Sequence, residues 1–171
     1  MTVQAIVLAC TLAASPAAQG AAAAAPPQPV AGEFWRAARW GMTAEEVVNA
    51  FPGEAVRLDP VLMLKDGNDV AVGIDHHLVE GREFRVRFVF HEGRLVIVSL
   101  RTPERTPALA DAYQALDRHL AALIGRPGEH TADDSFVDMR QTRWNVGRSI
   151  VDLKYVAGAL VVMWADAAAV P

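Results

Sequence analysis

The chain has 171 residues, enough for one domain of ordinary size. Its formal net charge of −4 gives no electrostatic case for nucleic acid or an anionic membrane surface, and its single cysteine excludes an internal disulfide framework or a cysteine-based zinc site. No run reaches the roughly 18 apolar residues that a membrane-crossing helix needs.

Residues 1–25 read as an export segment: Val3 to Leu12 is mostly apolar, and small residues follow at Ala13, Ala14, Ser15, Ala17 and Ala18. The reading has one defect, since no Lys or Arg precedes the apolar run. Val7-Leu8-Ala9-Cys10 loosely resembles a lipoprotein processing site, so a lipid anchor at Cys10 is the alternative to simple cleavage. Residues 26–32 form a Pro/Ala linker of polyproline character. The folded domain is expected over 33–165, with a frayed tail at 166–171.

The domain opens on Trp40 to Glu54, where Thr43 is a good N-cap and Glu46 completes a capping box. Met42 and Val47 occupy the two hydrophobic-staple positions, and Pro52-Gly53 stops the helix after Phe51. Strands are expected at Ala55 to Leu58 and Val61 to Lys65, separated by Asp59-Pro60, and at Val70 to Leu78, with Gly73 weakening its middle. The clearest hairpin follows. Phe84, Val86, Phe88 and Phe90 alternate with Arg85, Arg87, Val89 and His91, Glu92-Gly93 turns the chain, and Leu95 to Leu100 returns.

Thr106-Pro107 is expected to open the main helix, whose stripe of Leu109, Ala112, Tyr113, Leu116, Leu120, Leu123 and Ile124 ends at Gly125. Further strands are expected at Phe136 to Trp144, Ser149 to Val156 and Ala159 to Trp164.

The two halves, about 40–101 and 106–164, read alike. Pro52-Gly53-Glu54 matches Pro127-Gly128-Glu129, Gly81-Arg82 matches Gly147-Arg148, and Leu95 to Val98 matches Leu160 to Met163. A degenerate duplication of a helix-plus-hairpin unit is the expectation. The fold class is then α+β, an antiparallel sheet with two helices on one face.

Trp40-Gly41-Met42-Thr43-x-x-Glu46-Val47, followed by Pro52-Gly53, resembles the opening of small exported SmpA/OmlA (BamE-like) envelope proteins. The two-unit plan is similar to the tandem β-lactamase-inhibitor-protein fold. The resemblance implies an exported α+β protein that works by binding other proteins.

Catalytic chemistry finds little support. No G-x-S-x-G, Walker loop or G-x-G-x-x-G appears, and no pair among Asp133, Asp134 and Asp138 is marked as an acid/base dyad. Asp75-His76-His77 with His91 is the one cluster suggesting a metal. Adjacent strand histidines point to opposite faces, leaving Asp75 and His77 on a shared face, and solvated polar residues are the preferred reading. The sequence thus predicts no enzyme, cofactor or metal.

The surface of interest is the sheet face opposite the phenylalanines. Arg85, Arg87 and His91 are expected there, with Asp152 and Lys154 from the second half and Arg140, Arg143 and Trp144 extending it. The expected role is that of a non-enzymatic periplasmic or secreted interaction or scaffold protein, its partner another envelope or secreted protein. The alternatives are a small-ligand-binding protein or an inhibitor of a secreted enzyme.

Overall fold

A computed structural model describes residues 30–64, 66–133 and 139–169. The export segment, Cys10, most of the linker, Asp134, Ser135, Asp138, the expected strand start at Phe136 and the last two residues lie outside the described residues.

The elements run α1 (Ala44–Ala50), β1 (Val56–Met63), β2 (Asn68–Val79), β3 (Arg82–His91), β4 (Arg94–Arg101), α2 (Leu109–Ile124), β5 (Glu129–Asp133), β6 (Met139–Val146), β7 (Ser149–Val156) and β8 (Ala159–Asp166). The eight strands form one antiparallel sheet in the order β1-β2-β3-β4-β8-β7-β6-β5. Each helix is therefore followed by a four-stranded meander, and the meanders meet where β4 pairs with β8. The α+β class holds, with the sheet dominating.

Local chemistry explains most of this. The Thr43 hydroxyl accepts from the Glu46 N–H at 3.3 Å, and the Glu46 carboxylate accepts from the Thr43 N–H at 2.7 Å, so the capping box forms. Just before it, the Gly41 N–H donates to the Leu95 carbonyl at 2.9 Å and the Leu95 N–H to the Met42 carbonyl at 2.8 Å. The opening motif is thereby docked on β4. The two-residue turns Glu80-Gly81, Glu92-Gly93 and Ala157-Gly158 hold both residues at positive φ, the conformation that matches the twist of a tight hairpin.

Several expectations need revision. The main helix starts at Leu109, because Thr106-Pro107 forms a separate turn that passes its carbonyls to the Leu109 and Ala110 N–H groups. β1 is one strand through Asp59-Pro60; as an edge strand it has no second neighbour for Pro60 to deprive of a donor. β5, a short polar edge strand, lies beyond the expected set. The two aligned Pro-Gly-Glu segments use glycine differently. Gly53 has φ 75 and open space around its Cα, whereas a Cβ on Gly128 would lie 2.6 Å from the Trp144 ring.

Both helices cover the same face. Val47 and Phe51 of the first helix region, and Leu116 and Leu120 of α2, join one core with Val86, Phe88, Leu100, Leu153 and Val162. At its centre Phe88 packs against Phe51 and Trp35, with ring centroids 5.5 and 5.8 Å away. Phe88 is fully buried, so Phe88→Ala is expected to lower the unfolding free energy by about 3–5 kcal/mol in a urea titration. Arg118→Ala, on the wet side of α2, is expected to stay within about 0.5 kcal/mol.

Candidate functional site

The candidate site lies on the face without helices. Residues opposite one another across a ladder point to the same side, so the pairing register fixes the membership of this face. Arg87 stands opposite Ser99, and Ser99 opposite Met163; Arg85 stands opposite Arg101, and Arg101 opposite Val161. In the other half Lys154 pairs with Val161 and Asp152 with Met163, followed by Arg143 opposite Asp152.

The Arg85–Arg101 pairing depends on a bulge. The Glu92-Gly93 turn alone would set Arg85 opposite Leu100. One extra residue in β4, Val96, separates the Phe90↔Leu95 pair from the Val89↔Ile97 pair and advances the register by one. The helix-facing residues of β4 accordingly run Leu95, Val98, Leu100.

Arg85, Arg87, Arg101 and Arg105 line a cleft of about 490 Å³, together with Ser99, Thr102 and the apolar side chains of Leu64, Val70 and Val89. No carboxylate is among its lining residues. Arg87 is held in place: its guanidinium donates to the Val86 carbonyl and to Asp75, each at 2.9 Å. It lies against Gly73, where a Cβ would sit only 2.7 Å from Nη1, so the glycine in the middle of β2 makes room for this arginine. Arg85, Arg101 and Arg105 are exposed and have no ion-pair partner among the described residues.

Arg143 and Lys154, on the other half of the face, gather around one carboxylate. Asp152, only 3 % exposed, accepts two hydrogen bonds from Arg143 at 2.8 and 2.9 Å and one from Gln141 at 2.9 Å, with Lys154 3.7 Å away. Burial alone would raise its pKa; the Arg143 hydrogen bonds and the adjacent cations outweigh that and hold the carboxyl below the usual aspartate range.

The sequence-predicted residues therefore separate. Arg85 and Arg87 come together, and Arg101 and Arg105 join them although the sequence reading passed over both. Lys154 and Arg143 share the face but belong to the Asp152 cluster. His91 shares the face roughly 20 Å along β3 from Arg85, bonded to Asn68 at 3.0 Å. Trp144 is a correction. It pairs with Val151 on the helix side, 2 % exposed, and its indole donates to the Arg126 carbonyl at 3.1 Å. Arg140 is on that side too, its guanidinium 5.7 Å from the Tyr155 ring centroid. Neighbours in a strand cannot share a face, so Arg143 and Trp144 could not both serve one surface.

The Asp75-His76-His77 cluster is also taken apart. A bulge between Ile74 and His77 places His76 at φ 63 and breaks the alternation. Asp75 meets Arg87, His76 meets Glu83 at 2.9 Å, and His77 packs edge-on to Trp35 on the helix side. Asp75 and His77 thus face opposite ways, contrary to the expectation of a shared face. Among the described residues no three His, Cys, Asp or Glu side chains gather as a metal site.

A lowered aspartate pKa contributes stability above the unfolded value and loses it as pH falls through the folded one. Asp152→Asn is therefore expected to cost about 1.5–3 kcal/mol at pH 7, and the two unfolding curves to converge as the pH falls below about 4 in urea titrations. No family model matches the chain, and no curated protein or solved structure is significantly similar to it.

Proposed function

We propose that this is an exported, non-enzymatic interaction protein whose helix-free sheet face binds an acidic surface of another envelope or secreted protein. The observation that carries the reading is the Arg85–Arg101 pair, two cations opposite each other across adjacent strands with no carboxylate partner among the described residues. Like charges so placed destabilise a sheet. An anionic partner relieves that repulsion, whereas the free protein bears it. Arg105 adds to the field, Arg87 beside it is paired to Asp75, and Leu64, Val70 and Val89 supply apolar contact. A chain of net charge −4 that gathers three arginines without an ion-pair partner among the described residues in one cleft, beside a fourth held by Asp75, has a segregated charge pattern suited to steering an acidic partner.

Export is supported by the apolar run Val3 to Leu12 with its small-residue sequel. The resemblance of the Trp40 to Thr43 opening to BamE-like envelope proteins supports the same compartment. The duplication belongs to this reading as well: it is supported by the succession of a helix and a four-stranded meander in each half, with Val86, Phe88 and Phe90 and then Val151, Leu153 and Tyr155 buried on the strand after the second turn.

A photo-crosslinking residue at Ser99, on the floor of the cleft, tests the proposal in the producing cell. The expected result is one adduct of discrete mass in the envelope or medium, reduced at least tenfold by Arg85→Glu/Arg101→Glu and unchanged by Arg118→Glu on the wet side of α2. An adduct indifferent to charge reversal, or one confined to the cytoplasm, contradicts it.

A further inference from the structure

A second concavity lies on the helix side, away from the arginine cleft. It has a volume of about 480 Å³, within the range of small-molecule sites of roughly 300–1,000 Å³. Its lining includes Leu100, Val162 and Trp164 from the central strands β4 and β8. Leu116 and Leu120 of α2 contribute one wall, and Phe34 and Trp35, ahead of α1, contribute another.

The rim has three notable features. Leu78 and Leu123, 66 % and 49 % exposed, both line the cavity and leave large apolar surface in water. The charged rim groups already have partners: Arg36 forms a bidentate pair with Glu54 at 2.7 and 2.8 Å, and His119 meets Glu80 at 2.7 Å. Besides the indole N–H of Trp35, which makes no hydrogen bond to a described residue, the polar group left on the lining is the imidazole of half-buried His77. It stacks edge-on against Trp35, 5.2 Å between centroids, and makes no hydrogen bond to any described residue. Burial, with the charge of Arg36, keeps His77 below the usual histidine range, so the ring is neutral at pH 7 and offers one donor and one acceptor.

We infer that this cavity binds an uncharged apolar small molecule carrying one hydrogen-bonding head, such as a hydroxyl or carbonyl, with the apolar body over Leu100 and Val162 and the head on His77. The chemistry selects this class. The walls reward apolar burial, Arg36 is already engaged by Glu54 and His119 by Glu80, and the unpartnered imidazole supplies a directional contact. A charged head would gain no unpaired cation, and it would meet the carboxylates of Glu54 and Glu80 beside Arg36 and His119. This site uses none of the arginine-cleft residues, so either proposal can fail alone.

The test is a titration of the full chain at pH 7.5 with 1-octanol and, separately, with octanoate, followed by the indole N–H resonances. Trp35 and Trp164 line the cavity, while Trp40 and Trp144 do not. The expected result is saturable shifting of Trp35 and Trp164 by 1-octanol, at least tenfold tighter than by octanoate. His77→Phe is expected to reduce that preference to less than threefold. Leu120→Phe narrows the cavity from the helix wall, and Leu123→Phe narrows it at the half-exposed rim, where folding is not at stake. Each is expected to weaken octanol binding at least fivefold with the melting temperature unchanged or raised. Absence of saturation, shifts confined to Trp40 and Trp144, equal affinity for octanoate, or octanol binding indifferent to Leu123→Phe would each overturn the inference.

Discussion

Everything in this molecule depends on the pairing of β4 with β8. Ile97 to Arg101 run antiparallel to Val161 to Ala165, and Thr102 prolongs the ladder: its N–H donates to the Leu160 carbonyl, and its hydroxyl accepts from the Leu160 N–H, both at 3.1 Å. Without this seam each meander would expose an inner edge of unpaired backbone groups. With it, Val98–Trp164 and Leu100–Val162 join the core on one side, while Ser99–Met163 and Arg101–Val161 face the other. The division into a helix side and an open side is thus carried from the first meander into the second. The segment before α1 ties itself to the second meander, since Trp164 donates to the Gly32 carbonyl at 3.2 Å, Glu33 accepts from the Arg148 N–H at 2.9 Å, and the Trp40 indole reaches the Ser149 hydroxyl at 2.8 Å.

The open side shows two ways of carrying basic residues on a sheet. Around Asp152 a buried carboxylate accepts from Arg143 and Gln141 and lies beside Lys154, so both cations of that patch are already engaged. Neither Arg85 nor Arg101 forms an ion pair with a described carboxylate, while Glu83, two residues before Arg85, is bonded to His76 and Asp75 is engaged by Arg87. Surface ion pairs contribute little by themselves. The useful contrast is one of availability: the cations of the first cluster are held by a buried carboxylate, and the second has exposed guanidiniums without one, beside apolar surface.

The sequence made the local elements legible wherever a single group decides them. Thr43 with Glu46 marks a helix start, Glu92-Gly93 marks a hairpin, and the α2 stripe from Leu109 to Ile124 marks a buried helix face, from which Leu123 departs because it sits at the edge of the stripe, 49 % exposed. It was less legible where one residue changes the register. The Val96 bulge brings Arg101 opposite Arg85, and its only trace is the three-residue step from Leu95 to Val98 in the apolar pattern. The Asp75–His76 bulge likewise reverses which neighbours share a face. Trp144 is different, because strict alternation already separated it from Arg143. β5 carries no apolar pattern, since it is a short polar strand at the edge. Arg105 sits in the β4–α2 connection, where no periodicity predicts direction.

The central claim is that Arg85 and Arg101 face each other unneutralised on an open sheet. A double-mutant cycle in unfolding free energy, using Arg85→Ala, Arg101→Ala and the pair, measures this most directly at low and high salt. The account predicts a repulsive coupling of about 0.2–1 kcal/mol at low ionic strength that shrinks as salt is added. A coupling that is zero or attractive at low salt would contradict it.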